Sequence, residues 1–507
     1  MHRPLFVPDT PSAIHTVHGG SLSPTDAEKT ANLGGAPLRA QVYRDTAVRV
    51  ERFRLQTRQD KAPRRDALRF AFTADQSELW LGAAGDHLHL YVGTALYQIT
   101  PSSPRQIIEL VTGHGADCIH VDDSLQNPVS IDAGAGEDYL RVGGRHSTIL
   151  SGEGDDTLRI SAEDCTVDSG PGNDSTQVIG AGTARIYAGD GADSIHGGAG
   201  LNFIDGGPGD DVIVGGSGHH LLSGGDGNDT IKAGSATNVI YPGKGHDHVS
   251  KLKATDRVYS LPGDTLVAMT NDERYAWLLE KLASLPTASL EQVMAVLFPT
   301  DLDTLHQTLV ASGEVGKTGL SIGGNRQFAA RVESDLSVLR VSPNGQKLLH
   351  ALDIAAQHGG QPVSIEPGDE NNARFTPSTD SDTLMIRDGH PGTPAYGGRI
   401  EYNPFFSPPG SLPIIGLYHE LCHAYNAVTG TVAPGTTDET DGGKTVAIKN
   451  VERQAVGLPI DLAPFDFDLN PDTPPTQTNP EAFTENALRK EFGLPTRDTY
   501  LAKPQVD

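Results

Sequence analysis

Residues 189–231 read GDGADSIHGGAGLNFIDGGPGDDVIVGGSGHHLLSGGDGNDTI, and a Gly-x-Gly-x-Asp unit returns in them about every 18 residues. Outward from this stretch the unit recurs at Gly113, Gly134, Gly152, Gly170, Gly189, Gly207, Gly225 and Gly243. It closes on Asp117, Asp138, Asp156, Asp174, Asp193, Asp211, Asp229 and Asp247. Two residues after each aspartate stand Ile119, Leu140, Leu158, Thr176, Ile195, Ile213, Ile231 and Val249, a column that is apolar except at Thr176. Weaker units lie halfway between the strong ones: GGAGLNFI from Gly197, GGSGHHLL from Gly215 and AGSATNVI from Ala233. They carry Asn202, His220 and Asn238 at the aspartate position. The underlying period is therefore about nine residues, and a period this short makes a stacked solenoid whose core is the apolar column.

Glycine-rich turns let backbone carbonyls and carboxylates converge on one hard cation, and Ca²⁺, with six to eight oxygen ligands, suits such a donor set. Stacking the aspartates without a cation would pile like charges together. The pattern resembles the calcium-binding RTX nonapeptide repeat, which implies a parallel β-roll with alternate turns on opposite edges. Asp138, Asp156, Asp174, Asp193, Asp211, Asp229 and Asp247 are the expected calcium ligands. They would form a row on one edge, with few or no ions on the Asn/His edge. The alternative is a metal-independent solenoid held by Asn and Asp ladders. His219, His220, His246 and His248 are read as solvated turn residues.

The remaining composition agrees with an ion-binding repeat. Lys plus Arg total 39 against 65 Asp plus Glu, a formal charge of -26 that argues against nucleic acid or an anionic membrane as partner. Three scattered cysteines, Cys118, Cys165 and Cys422, give no disulfide framework. No apolar run is long enough to span a bilayer, and the start lacks the pattern of a cleaved secretory signal. Residues 1–65 are polar and read as a disordered segment that could carry an export signal. Residues 66–112 alternate like strands and read as a β-rich cap, 113–250 as the roll, and 256–312 as a helical linker with helical spacing from Asp272 to Ser312. A second globular domain occupies 320–507.

In that domain LPIIGLYHELCHAYNAVT spaces Ile414, Leu417, Leu421, Ala424 and Val428 as one helix face. Ser411 is the expected N-cap, Pro413 lies in the first turn and Gly430 marks the end. Within it His419, Glu420 and His423 form His-Glu-x-x-His, the zincin metallopeptidase signature. Four residues apart on a helix, both imidazoles face one Zn²⁺, while Glu420 points toward the open position as general base. Cys422, on another face, is read as a buried core thiol.

The blocks YHELCHAYNAVTGT, NVERQAVGLPID and TENALRKEFGLPTRDTY, in this order, resemble the NleD-like family of bacterial effector metalloproteases delivered by type III secretion. By analogy with zincins whose third ligand is a glutamate on a later helix, Glu452, in the helical-looking segment KTVAIKNVERQAVG, is assigned as that ligand. Asp438, Glu439, Asp441 and Glu485 are its rivals. GGRIEYNP, from Gly397, reads either as the edge strand that pairs with substrate or as a buried strand. Tyr500, Arg497 and Arg453 are candidate donors to the oxyanion.

The expected fold is multidomain: a parallel β-roll followed by an α+β zincin-like domain, acting as a monomer. The expected function is zinc metalloendopeptidase, with calcium in the roll. The resemblance implies a secreted protein, injected into a host cell, that cleaves a host protein, with signalling kinases as the substrate class of some relatives. The long repeat region departs from the compact family pattern and raises type I export as a rival route. The rival functions are a calcium-dependent adhesion module with an inactive C-terminal domain and a broad extracellular protease.

Overall fold

The structure, a computed structural model, describes residues 11–18, 38–55, 65–74, 77–180, 182–268, 306–309, 315–368, 373–405, 411–441, 443–469 and 472–501. Two compact units emerge. The first comprises Met1–Asn238, Gly245–Asp256 and Gly263–Leu305, and the second comprises Val239–Lys244, Arg257–Pro262 and His306–Asp507.

The first unit is a parallel β-roll. Successive short strands alternate between two sheets, one of which runs to 13 strands that all lie in this unit. In that sheet the column read from sequence stacks in register from Ile119 through Leu140, Leu158, Thr176, Ile195, Ile213 and Ile231 to Val249. Every member is at most 2% exposed. The other sheet contributes a matching column, Ile131, Ile149, Val167, Ile186, Ile204 and Leu222, each fully buried. Each such side chain stabilises the roll by about 1.5–3 kcal/mol relative to exposure. Thr176 fits the column because its hydroxyl lies 3.4 Å from that of Ser169. The turns require glycine: Gly209 has φ +149°, and a Cβ there would run into the carbonyl oxygen of Gly191 one turn away.

The start of the chain is more ordered than its composition implies. Strands run at Ala13–His18, Leu38–Arg44 and Val48–Leu55, inside the segment expected to be disordered. The alternation Val48, Val50, Arg52 buries all three residues, and the Arg52 guanidinium is paired with Asp66 at 2.5 Å. A buried, paired arginine on the apolar side of a strand looks like solvated charge in a sequence. Asp45 ties the turn by accepting bonds from the amides of Ala47 and Val48 and the hydroxyls of Tyr43 and Tyr97. Strands Glu78–Ala84, His87–Val92 and Ala95–Thr100 pair antiparallel ahead of the parallel run, so the roll does not begin as a bare parallel edge.

The helical linker is corrected in part. Arg257–Ser260, Thr265–Ala268 and His306–Leu309 are strands, because the repeat continues past Val249 with Asp256 and Asp264 at the aspartate position. Of the helical segment expected from Asp272 to Ser312, residues 272–305 and 310–312 lie outside the described residues.

The second unit is α+β. Its elements are β1 (Leu320–Ile322), α1 (Arg326–Val341), α2 (Pro343–Gln357), β2 (Val363–Pro367), β3 (Arg374–Pro377), β4 (Gly398–Tyr402), α3 (Pro413–Thr429), β5 (Thr436–Asp441), β6 (Lys444–Lys449), α4 (Asn450–Val456) and α5 (Glu485–Glu491). The sheet order is β1-β2-β4-β3, with only β3 antiparallel to its neighbour. The Gly397–Pro404 segment therefore supplies an interior strand, and the edge beside α3 is β3. The buried face of α3 includes Ile414, Leu417, Leu421 and Ala424, all fully buried. The helix ends at Gly430 in the left-handed region at φ 69°. Its N-cap is Leu412, without a side-chain cap, since the Ser411 hydroxyl accepts a bond from Arg489 at 3.3 Å instead.

Candidate metal centre

Helical spacing on α3 sets Nε2 of His419 and Nε2 of His423 3.1 Å apart. Oε2 of Glu452, on α4, lies 3.5 Å from each. The three are the group among the described residues whose donor atoms could share one ion. A tetrahedral ion bonded at about 2.0–2.1 Å would hold its ligand atoms about 3.3–3.4 Å apart, so the triangle fits such an ion without rearrangement. Two imidazole nitrogens facing each other at hydrogen-bond distance also point to a shared cation.

The route to Glu452 differs from the sequence expectation. Residues 444–449 form strand β6, paired antiparallel with β5, and only Asn450–Val456 is helical, ending at Gly457 with φ 92°. The alternating Thr445, Val446 and Ile448 favour a strand over a helix.

Glu485 is not a ligand of this triangle but its support. Its Oε2 lies 2.9 Å from Nδ1 of His419, the nitrogen opposite the one that faces His423. Arg489 donates to Oε1 of Glu485 at 2.6 Å, and Arg497 donates to Oε2 at 3.2 Å. Burial alone would raise the Glu485 carboxyl, but His419 and the two guanidiniums pull it down to about 2. His419 is likewise driven up to about 10 against the effect of burial, chiefly by Glu452 and Glu485. Burial opposes ionisation of Glu452 too, yet both histidines hold its carboxyl far below the usual range. The cluster thus attracts positive charge.

Glu420 accepts a hydrogen bond from the backbone amide of Phe375 on β3 at 2.7 Å. The hydroxyl of Tyr500 donates to Oε2 of Glu452 at 3.1 Å, and burial, then Glu452, keeps that hydroxyl protonated well above its usual range. A cleft of about 770 Å³ is lined by β3 and by His419, Glu420, His423, Glu452, Arg497 and Tyr500. Arg453 is withdrawn as an oxyanion donor: it is buried, paired with Glu439, and bonded to the Pro459 carbonyl. Glu439 is thereby accounted for, Asp438 is exposed, and Asp441 belongs to β5. Cys422 is a buried free thiol that burial holds protonated.

Sequence reasoning missed Phe375 and the supporting role of Glu485. The second had a signal, since Glu485 and Arg489 stand four apart on a short helix capped by Thr484.

In the roll, Asp138, Asp156, Asp174, Asp193, Asp211, Asp229 and Asp247 line one edge, each at most 2% exposed, and Asp117 continues the row. From Asp138 to Asp247 each Oδ1 accepts the backbone amide of the aspartate one turn earlier, as from Asp193 to Asp211 and from Asp211 to Asp229 at 2.8 Å. In all eight the Oδ2 is buried without a hydrogen-bond partner. Burial, with the neighbouring carboxylates adding to it, pushes Asp174 and Asp211 up to about 8 and Asp138, Asp193 and Asp229 up to about 7. Eight buried oxygens without donors are the feature a row of hard cations would satisfy.

The opposite edge differs. Asn202, His220, Asn238 and Asp256 are fully buried there, so His220 is not the solvated residue expected; His246 and His248 are exposed. Asn238 donates to Asp256, and the Lys253 ammonium bonds the Gly234 carbonyl and lies 3.1 Å from Asp256. That edge contains its own cation.

Residues 317–500 match the model of the M91 peptidase family, described as effector protein. The C-terminal region belongs to that family. Residues 131–159, 181–219 and 221–249 match the RTX calcium-binding nonapeptide repeat. No curated protein and no solved structure matches the chain. The matched stretch contains His419, His423, Glu452, Glu485 and Tyr500. By family the M91 region is a peptidase, preceded by a calcium-binding repeat domain. No helix among the described residues is long and apolar enough to cross a membrane.

Proposed function

We propose that the M91 region is a zinc endopeptidase acting on a host protein, and that the aspartate row of the roll binds calcium. The observation that carries the reading is the triangle of His419, His423 and Glu452 donor atoms, 3.1–3.5 Å on a side and braced by Glu485. These three residues would hold the zinc, which when bound would polarise a scissile carbonyl and acidify water. Glu420 takes the proton from the attacking water and passes it to the leaving amine. Tyr500 keeps its proton and is the donor we assign to the oxyanion. Strand β3, at the sheet edge beside Glu420, suits an extended polypeptide.

Calcium is assigned to Asp138, Asp156, Asp174, Asp193, Asp211, Asp229 and Asp247 on the strength of their donor-less Oδ2 atoms. The family description as effector protein supports secretion and delivery into a host cell, and the resemblance to NleD-like proteins makes a signalling kinase the substrate class to test first. Metal content per chain, counted for wild type, His423→Ala and Glu452→Ala, tests the site. One zinc lost in both variants with calcium unchanged is the expected result, and a wild type that takes up no zinc after dialysis against the metal overturns it.

A further inference from the structure

Helix α5 is two turns long, too short to hold its own place, and its two ends are fixed differently. At the first end Glu485 grips His419. At the last end Glu491, only 7% exposed, has no cation bonded to its carboxylate among the described residues. Its Oε1 accepts the hydroxyl of Tyr241 at 2.6 Å, and its Oε2 accepts the side-chain amide of Asn344 at 2.6 Å and that residue's backbone amide at 3.2 Å. Burial pushes the Glu491 carboxyl above its ordinary range. Nearby, the Arg257 guanidinium donates to the Lys490 carbonyl at 2.9 Å.

Tyr241 and Arg257 sit on Val239–Lys244 and Arg257–Pro262, the two repeat segments that belong to the second unit. The Tyr241 ring is fully buried, stacked on Tyr259 at 4.8 Å and edge-on to Phe492 at 5.9 Å. Two residues after Tyr241 the chain enters the turn Gly243 to Asp247, the last Gly-x-Gly-x-Asp unit.

We propose that Tyr241 and Glu491 are positioning residues for the metal cluster: the Tyr241 hydroxyl fixes the end of α5, and α5 in turn sets Glu485 against His419. A buried carboxylate that meets only neutral donors is costly, and Glu491 uses its two oxygens to tie the end of α5 to Tyr241 on one side and to the first turn of α2, at Asn344, on the other. This inference rests on the metalloprotease reading for its effect at the metal, not for its effect on the helix.

The test uses the full chain with Tyr241→Phe, which keeps the ring stack and removes only the hydroxyl, and with Glu491→Gln. Zinc affinity by chelator competition is read beside amide hydrogen exchange in α5. Tyr241→Phe is expected to weaken zinc binding by about tenfold, the lower end of what support of a ligand is worth. It is also expected to speed exchange at Ala487–Glu491, with the thermal midpoint of the roll unchanged. Exchange in α5 that ignores Tyr241→Phe overturns the proposal whether or not zinc binds. Faster exchange with unchanged zinc affinity, in a wild type that does bind zinc, overturns its claim on the metal. A wild type that binds no zinc defeats the proposed function instead, and the exchange result still decides the role of Tyr241.

Discussion

Glu485 lies 2.9 Å from Nδ1 of His419, on the side of the ring away from His423. This fixes the tautomer that leaves Nε2 free to bind a metal, and it raises the basicity of that nitrogen. Glu485→Gln keeps the shape and loses the charge. Its zinc affinity is expected to fall about 10–100-fold, measured by chelator competition, with helix content unchanged.

Glu420 accepts the backbone amide of Phe375 and is not one of the three donors of the triangle. Glu420→Gln should therefore retain one zinc per chain while peptide hydrolysis drops by about 10²–10⁴-fold. Metal counting beside turnover separates the two, and a variant that loses both would move Glu420 into the ligand set.

The two edges of the roll should respond unequally to calcium. Asp211→Ala with Asp229→Ala removes two orphaned Oδ2 atoms, whereas Asn202→Ala with Asn238→Ala alters an edge that already contains the Lys253 ammonium. The gain of β circular dichroism between EGTA and millimolar Ca²⁺ should shrink by more than half in the aspartate pair and persist in the asparagine pair. Equal losses contradict the one-edge assignment.

Without calcium the aspartate row should make the roll less stable as pH rises. Burial and neighbouring carboxylates raise these folded-state values from 3.8 to about 6 at Asp247 and about 7 or 8 at Asp138, Asp174, Asp193, Asp211 and Asp229. Between the unfolded value and these values the folded roll holds more protons than the unfolded chain. Stability is then complete below about pH 4 and lost as pH climbs through 6 to 8. The melting temperature of the roll, followed by circular dichroism in EGTA, should fall from pH 5 to pH 8, and millimolar Ca²⁺ should abolish the fall. A flat profile in EGTA would remove the charge argument.

Much of this is legible in the sequence. A nine-residue period with apolar residues two beyond each aspartate leaves one way to bury a core, and His419, Glu420 and His423 on one helix leave little choice of chemistry. What escaped the sequence depended on partners distant in the chain. Arg52 reads as surface charge until Asp66 is seen beside it, and His220 as a turn residue until Asn202 is seen one repeat away, 3.2 Å from its Nδ1. Glu485 looked like one of several rival ligands because spacing cannot tell which nitrogen of His419 it meets. Gly397–Pro404 reads equally as an edge or a buried strand, and it is the interior one, with β3 at the edge, because the order of strands in a sheet is set by crossover, not by alternation within a strand.

The hydrogen bonds along the aspartate row all point the same way, from the amide of one turn to the carboxylate of the next. A turn thus becomes complete only when its successor is in place, and the row is closed at its two ends by residues outside the Gly-x-Gly-x-Asp series, Ser77 giving its amide to Asp117 and Asp264 accepting that of Asp247. The row therefore has polarity, like a zip with a defined slider end: losing Asp264 would orphan the amide of Asp247 and let fraying travel backward, while losing the amide of Ser77 would leave only an unused acceptor at Asp117.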